Sequence, residues 1–244
     1  MTQKDIFDGI TTVWVDLDDT LIDFKTNSHV ALLKLWQDEV PLQRYFLDGE
    51  TWVMRYEEHN IALWARYSAG EITRDYLRMQ RFMLPLTEAG MPLAEAEALS
   101  RRYDTLYLDY LAREKALMPG AMELLEFLRQ KGMTIGCLSN GFKEVQFRKI
   151  RNAGLEPWID IVVLSDDINI NKPDVRIYQY AMERSGDTEP QNHMMIGDNP
   201  QTDIAGAVSA GWSAVWYHPE SLFVGAECPH GAVEITSLTD ICHR

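Results

Sequence analysis

The apolar residues of this chain follow two different periods. From about residue 26 to residue 115 they recur every three or four positions, the spacing of helices that bury one face. This pattern predicts an all-helical block of about four helices. The apolar stripe of the first helix is expected to contain Val30, Leu33, Trp36 and Val40. Breaks between helices are expected at Pro41, Gly49, Gly70, Pro85, Gly90 and Pro92.

Outside this block, short apolar runs alternate with helical segments that end at glycine. The first run is Thr12–Val15, and later strands are expected at 133–138, 159–164, 193–196, 214–217 and 233–235. Helices are expected at 121–131, 143–153, 174–185 and 201–210. This alternation predicts an α/β fold, with a Rossmann-like parallel sheet core covered by helices. The helical block interrupts that core, so we expect a core domain of residues 1–24 and 116–244 and a helical domain of residues 25–115.

The charge of the chain limits its partners. The formal net charge is −14 at pH 7 over 244 residues, which argues against nucleic-acid binding because that requires Lys and Arg to neutralise phosphates. No apolar run is long enough to span a bilayer, and the first nine residues lack the basic and apolar regions of a signal peptide. The three cysteines show no paired spacing, and Cys137 is expected to be a core residue. We therefore expect a cytoplasmic protein without membrane or nucleic-acid partners.

Carboxylates follow the first predicted core strand. Asp16 and Asp18 come directly after it, although buried like charges repel and lose hydration unless a cation or hydrogen bonds compensate. Ligands of open parallel sheets bind beyond the carboxyl ends of the strands, where segments 139–141, 165–173 and 197–203 are also expected. Each segment alone fits an ordinary turn. Together they supply an oxygen nucleophile, an acid, hard oxygen ligands for Mg²⁺ and donors for phosphoryl oxygens.

Four motifs in this order resemble those of the haloacid dehalogenase superfamily of phosphohydrolases. The matching residues are Asp16, Asp18 and Thr20, then Ser139, then Lys172, and finally Gly197, Asp198 and Asp203. The resemblance covers nearly the whole chain. The helical block at 25–115 resembles the α-helical cap that this superfamily inserts between its first two motifs.

The resemblance implies a Mg²⁺-dependent hydrolase of phosphate monoesters. Asp16 would be the nucleophile that becomes an aspartyl-phosphate, and Asp18 would protonate the leaving oxygen and then deprotonate water. The implied Mg²⁺ ligands are Asp16, the backbone carbonyl of Asp18, the carboxylate of Asp198, and Asp203 either directly or through water. The implied phosphate-binding groups are Ser139, the backbone of Asn140, and Lys172.

An acid at the position of Asp18 distinguishes superfamily members that catalyse different reactions. Halide-removing members lack an acid at that position, which makes dehalogenation an unfavoured alternative. Phosphatases for sugar or other small-metabolite phosphates and β-phosphoglucomutase-like phosphotransferases stay open. A receiver-type signalling module or an inactive interaction protein fits less well with the second acidic motif at Asp198 and Asp203 and with the large insertion.

The helical block narrows the substrate class. A segment of it is similar to the cap of bacterial 5′-nucleotidases that act on pyrimidine and noncanonical nucleotides. The residues that carry this similarity are Asn60, Leu63, Trp64, Tyr67, Gly70, Ile72, Thr73, Leu77, Arg81 and Phe82. The similarity implies a nucleoside monophosphate substrate, with the aromatic residues stacking on a base. In the alternative interpretation, Trp64, Tyr67 and Phe82 at helical spacing form the core of the block.

Overall fold

The computed structural model describes residues 5–219 and 227–243, so both extreme ends of the predicted core domain lie outside the described residues. Within the described part, six strands form one sheet in the order β3-β2-β1-β4-β5-β6, with every pairing parallel. The strands are β1 Thr12–Val15, β2 Thr134–Ser139, β3 Ile161–Leu164, β4 His193–Gly197, β5 Ser213–Tyr217 and β6 Val233–Ile235. The predicted α/β fold with a parallel sheet is therefore confirmed.

The sheet is buried on both faces because successive residues of a strand point to opposite sides. Val13 and Val15 of β1 belong to one apolar cluster, which includes leucines of the helix α6 (Ala121–Gln130). Trp14 belongs to a second cluster on the other face, together with residues of the helix α8 (Val175–Ser185). Cys137 of β2 is fully buried, as expected for a core residue, and burial raises the pKa of its thiol.

The remaining helices of this α/β unit follow the predicted alternation. Helix α7 spans Lys143–Asn152, and the segment predicted as a helix at 201–210 is a π-helical stretch, Pro200–Ala205, followed by the short helix α9, Gly206–Ser209. Short 3₁₀ turns lie at Glu156–Trp158, Ser165–Asp167, Pro190–Asn192 and Leu238–His243. The carboxyl ends of β1, β2 and β4 thus lead directly into the segments that carry the candidate site.

The chain divides into two compact units, Met1–Phe24 with Ala116–Arg244, and Lys25–Lys115. The second unit is helical. Its described elements are α1 Phe24–Asp38, of which Phe24 belongs to the first unit, α2 Val40–Tyr45, α3 Gly49–Ser68, α4 Arg74–Glu88 and α5 Leu93–Leu111. The expectation of about four helices missed the six-residue α2. No helix within residues 5–219 and 227–243 is long and apolar enough to cross a membrane.

The stripe predicted for the first helix is wrong for two of its four residues, since Leu33 and Trp36 are partly buried but Val30 is exposed and Val40 is an exposed residue of α2. Val30 and Val40 are 42% and 57% exposed, whereas the buried face of α1 carries Ala31, Leu32 and Leu35. Apolar residues occupy both faces of this helix, so their period alone does not select the buried one. Polar contacts contribute to the choice, since the buried hydroxyl of Ser28 lies 2.8 Å from that of Tyr107 on α5.

Of the predicted breaks, only Pro85 lies inside a helix beyond its first turn, while Pro41 and Gly49 lie in the first turns of the helices that follow the breaks. Pro41 lies in the first turn of α2, where its missing N–H costs nothing. Gly49 is the first residue of α3 behind the N-cap Asp48, whose carboxylate accepts a bond from the backbone N–H of Thr51 at 2.8 Å. Pro85 lies inside α4, which continues only to Glu88, so the lost backbone bond falls near the helix end.

Candidate active site at the carboxyl edge of the sheet

Asp16 occupies the end of the central strand. Its backbone N–H donates to the carbonyl of Ile196 on β4 at 2.9 Å, which continues the ladder one residue beyond β1. The residue is 8% exposed, so its carboxylate is almost completely removed from water. This position follows from local sequence, because the apolar run before Asp16 must be buried and carries the carboxylate with it.

Lys172 is the buried cation of the site. Its ammonium donates to Asp16 Oδ1 at 2.5 Å, to Asp203 Oδ1 at 2.7 Å and to the backbone carbonyl of Leu138 at 2.7 Å. The side chain is 2% exposed. A buried ammonium is tolerated only when its protons have acceptors, and these three acceptors satisfy all three. Lys172 therefore ties the end of β1 to the end of β2 and to the segment after β4.

The segment after β4 supplies two further carboxylates. Asp203 is 1% exposed and its Oδ2 accepts from the backbone N–H of Asn199 at 3.0 Å. A Cβ on Gly197 would lie 2.4 Å from that same oxygen, so only glycine lets the turn close against Asp203. Asp198 is partly buried, and its Oδ1 accepts from the hydroxyl of Thr20 at 3.2 Å. Asp203 is thus held within its own turn, whereas Asp198 is held by a residue that follows β1.

Burial and mutual repulsion change the protonation of these groups. Burial raises the pKa of Asp16 to about 7, and the charges of Asp203 and Asp18 add to this while Lys172 opposes it. Burial also raises the pKa of Asp198, helped by the charges of Asp203 and Asp16. For Lys172, burial acts to lower the pKa, but the charges of Asp16 and Asp203 outweigh it and raise it. Lys172 therefore remains an ammonium at neutral pH.

The charges of this cluster fit a divalent cation. One carboxylate oxygen from each of Asp16, Asp198 and Asp203 lies within 4.8 Å of the others. Hard carboxylate oxygens are the ligands that Mg²⁺ prefers. When ionised, these three acids carry two more negative charges than Lys172 neutralises, which is the charge of one Mg²⁺. The residues present therefore fit Mg²⁺, with Asp203 already bonded through both of its oxygens to Lys172 and Asn199.

Ser139 and Asn140 lie at the end of β2 in different roles. Ser139 Oγ accepts from the backbone N–H of Gly141 at 3.1 Å and from Gln146 Nε2 at 2.8 Å. The Asn140 side chain bonds the backbone of Lys172 twice, through Nδ2 to the carbonyl at 3.0 Å and from the N–H to Oδ1 at 2.8 Å. The Asn140 amide therefore positions Lys172. The expected contribution of Asn140 to phosphate binding was through its backbone, and that stays a prediction.

Asp18 is bound by two residues that the sequence analysis did not select. Lys149 donates to Asp18 Oδ1 through its ammonium, and Gln146 Nε2 donates to Oδ2 at 2.9 Å. Both lie on α7, where they share a buried face with Val145 and Ile150. Two buried polar residues on the apolar face of an amphipathic helix were a detectable signal.

The structure brings the predicted site residues together at one edge. Asp16, Lys172 and Asp203 are joined by direct hydrogen bonds, and Asp198 lies beside them. Gln146 links Asp18 to Ser139 through a shared amide group. Asp174 caps α8, where its carboxylate accepts from the backbone N–H of Arg176 at 3.0 Å.

The aromatic residues singled out in the helical unit divide into two groups. Phe82 is fully buried and packs against Tyr56 at a ring separation of 4.9 Å, which makes it a core residue. Trp64 and Tyr67 are only partly buried and contact each other edge to face at 5.5 Å. The core interpretation therefore holds for Phe82, while Trp64 and Tyr67 retain exposed surface.

Comparisons with known proteins agree with this geometry. A family model described as haloacid dehalogenase-like hydrolase matches residues 10–211. The pyrimidine 5′-nucleotidase YjjG of Escherichia coli is 28% identical over 209 residues, which cover 84% of each chain.

Solved structures of similar proteins have the same fold. The HAD-hydrolase YfnB from Bacillus subtilis, solved bound to magnesium, matches with a TM-score of 0.81 and 27% identity, covering 96% of this chain and 97% of that one. A 2-haloacid dehalogenase from Pseudomonas syringae matches with a TM-score of 0.63 and 26% identity over 96% and 97% of the two chains. A haloacid dehalogenase therefore shares this fold, so the fold alone does not determine the reaction.

Proposed function

The chain belongs to the family of haloacid dehalogenase-like hydrolases, and from that premise we propose that it is a Mg²⁺-dependent phosphatase of nucleoside monophosphates. The observation that carries the proposal is the buried carboxylate of Asp16, held by Lys172 beside Asp198 and Asp203. This arrangement combines a nucleophile with an excess of negative charge that a divalent cation can neutralise, and the bound cation would in turn attract an anionic phosphate group.

In the proposed reaction, Asp16 attacks the phosphorus atom of a phosphate monoester. A P–O bond forms to the carboxylate, the ester P–O bond breaks, and the leaving oxygen takes a proton from Asp18. Water then attacks the aspartyl-phosphate and gives a proton to Asp18, the bond between phosphorus and Asp16 breaks, and inorganic phosphate leaves. The acid at position 18 supports a phosphatase over a dehalogenase, because a departing halide needs no proton.

Protein groups around Asp16 would bind the phosphoryl group. The recorded bonds of Ser139 Oγ are ones that it accepts, so its hydroxyl proton can be donated to a phosphoryl oxygen. Lys172, which bonds Asp16, would add positive charge beside the attacking carboxylate. A Mg²⁺ ion held by Asp16, Asp198 and the backbone carbonyl of Asp18, with Asp203 in support, would neutralise charge on the phosphoryl group.

The substrate class rests on the helical unit. Its resemblance to nucleotidase caps, and the pyrimidine 5′-nucleotidase activity in the name of YjjG, support nucleoside monophosphates. Trp64 and Tyr67 keep exposed aromatic surface that could stack on a base. We propose that residues 25–115 act as the cap domain that selects the substrate.

Phosphate release from a panel of substrates tests the proposal. The panel contains deoxyuridine, thymidine and uridine monophosphates, purine monophosphates, sugar phosphates and p-nitrophenyl phosphate, each assayed with and without Mg²⁺. We expect Mg²⁺-dependent release with a preference for pyrimidine nucleotides. A preference for sugar phosphates would support the assignment as a phosphatase and contradict the assignment as a nucleotidase. No release from any substrate would contradict the phosphatase itself.

A further inference from the structure

The Asp18 carboxyl group is clamped by two side chains of α7. We infer that Gln146 and Lys149 are positioning residues that hold this carboxyl group in the orientation required for proton transfer, an inference that rests on the proposed function. Neither residue belongs to the motifs that carry the family resemblance.

The clamp controls both oxygens of Asp18. The Lys149 ammonium bonds Oδ1, and Gln146 Nε2 bonds Oδ2 at 2.9 Å. The two clamp residues also bond each other, since Gln146 Oε1 accepts from the Lys149 ammonium at 2.9 Å. A carboxyl group with a donor on each oxygen cannot rotate about its terminal bond without breaking a contact. The proton-transferring atoms of Asp18 are therefore held in one plane.

The clamp is buried, although Asp18 itself is not. Gln146 and Lys149 are 1% and 2% exposed, whereas the Asp18 side chain is 27% exposed. A Lys at this depth requires compensation for lost hydration. The Asp18 carboxylate, the Gln146 carbonyl and the face of the Phe24 ring at 5.2 Å surround the ammonium. The ammonium thus bonds one oxygen of Asp18, while the other oxygen is bonded by Gln146 and the side chain keeps part of its surface exposed.

Gln146 connects the acid to the phosphate-binding segment. The same Nε2 group donates to Asp18 Oδ2 and to Ser139 Oγ at 2.8 Å. A Cβ on Gly141 would lie 2.1 Å from this nitrogen, so the glycine leaves the space that the amide occupies. The position of the acid is therefore coupled to that of the hydroxyl proposed to hold the phosphoryl group.

A positioning role and a purely structural role predict different kinetics. If Lys149 only supported α7, its loss would lower kcat/KM equally for all phosphate monoesters. If it positions the acid, the loss must grow with the basicity of the leaving group, because p-nitrophenolate departs with little proton assistance and phenolate requires more. The comparison of p-nitrophenyl phosphate with phenyl phosphate isolates this difference.

The test uses Lys149→Met in the full-length protein with Mg²⁺. We expect kcat/KM for phenyl phosphate to fall about tenfold more than for p-nitrophenyl phosphate. Lys149→Arg retains a donor, so it should show a smaller difference between the two substrates than Lys149→Met. Arg148→Met removes the same charge from an exposed position of α7. It should leave kcat/KM unchanged for both substrates. Gln146→Met should show the same trend with a smaller amplitude, and it decides the question if Lys149→Met does not fold.

A crystal structure of Lys149→Met supplies a readout that does not depend on activity. We expect the Asp18 carboxyl group to leave the orientation that it has beside α7. An unmoved carboxyl group, or equal losses on the two substrates in an enzyme whose wild type is active, would overturn this inference alone. A wild type that releases no phosphate from either substrate would overturn the proposed function as well.

Discussion

Both units of the protein bury charge, but they balance it differently. In the helical unit, each described buried charge has a partner of opposite sign, because Asp104 bonds both Arg81 and the partly exposed Arg78, and Glu39 bonds Arg102. At the sheet edge, Asp16, Asp198 and Asp203 share one buried cation, Lys172. Buried charges that all have oppositely charged partners need no ligand, whereas a buried excess of negative charge must be offset by protons or a cation. The excess of buried negative charge therefore distinguishes the candidate site from the ion pairs of the helical unit.

Replacement of Asp16 should have the largest effect on activity. We expect Asp16→Asn to lower kcat by about 10³-fold or more, because the amide is not a nucleophile. The unfolding temperature should stay the same or rise, since a repelled buried charge is removed. Phosphate release and thermal unfolding of the same preparation check both statements. Retained turnover in a pure preparation would contradict the assignment of the nucleophile.

Replacement of Asp104 should have the opposite effects, lowering stability and leaving activity unchanged. Asp104→Asn leaves the Arg81 guanidinium, which is 3% exposed, without its carboxylate. We expect a loss of about 3–5 kcal/mol in the free energy of unfolding, measured by urea denaturation.

The matched control is Asp109→Asn, which breaks an exposed pair with Arg113 on the same helix and should cost less than about 1 kcal/mol. Turnover of p-nitrophenyl phosphate by the folded fraction should not change. A loss of turnover in the folded fraction would show that the Arg81–Asp104 pair also contributes to catalysis.

The stabilisation by Mg²⁺ should depend on pH. The pKa of Asp16 is raised from 3.8 to about 7, so the folded metal-free protein holds a proton that the unfolded chain has lost between these values. This contribution to stability is complete below pH 3.8 and is lost as pH rises through 7. Mg²⁺ competes with that proton and should stabilise the protein more at pH 8 than at pH 6.

Thermal unfolding with and without Mg²⁺ measures this effect. Saturation at a hundredfold excess over the dissociation constant should raise the unfolding temperature at pH 8 by roughly 5–10 °C. Asp198→Asn should reduce the increase, and NaCl at equal ionic strength should not reproduce it. An increase that is larger at pH 6 would contradict the charge imbalance.

The smallest effect is expected for Trp64. Because Trp64 is only partly buried, Trp64→Leu should cost less than about 1.5 kcal/mol in unfolding free energy and should change the relative kcat/KM for nucleotides. Phe82→Leu, at a fully buried position, should reduce stability more and leave that preference unchanged. A stability loss at Trp64 without altered preference would assign it to the core of the helical unit.

The sequence predicted most of the fold because the two apolar periods are long and distinct. The strands and helices after residue 116 were expected within about two residues of their observed bounds, and the match of residues 10–211 confirms the family. The errors lie where the period is ambiguous or where a single residue was overinterpreted. The apolar residues of α1 occupy both faces, and Pro85 does not end α4.

The sequence by itself determined which residues reach the sheet edge, because each follows a strand whose apolar run must be buried. Burial of the adjoining apolar strand is enough to place Asp16, Ser139 and Asp198 at this edge. Only the tertiary structure decided which side chains meet there. Gln146 and Lys149 bond Asp18 from a helix more than 120 residues away, and Asn140 bonds the backbone of Lys172. Periodicity identifies the face on which a residue lies, whereas hydrogen bonds between elements depend on how those elements pack.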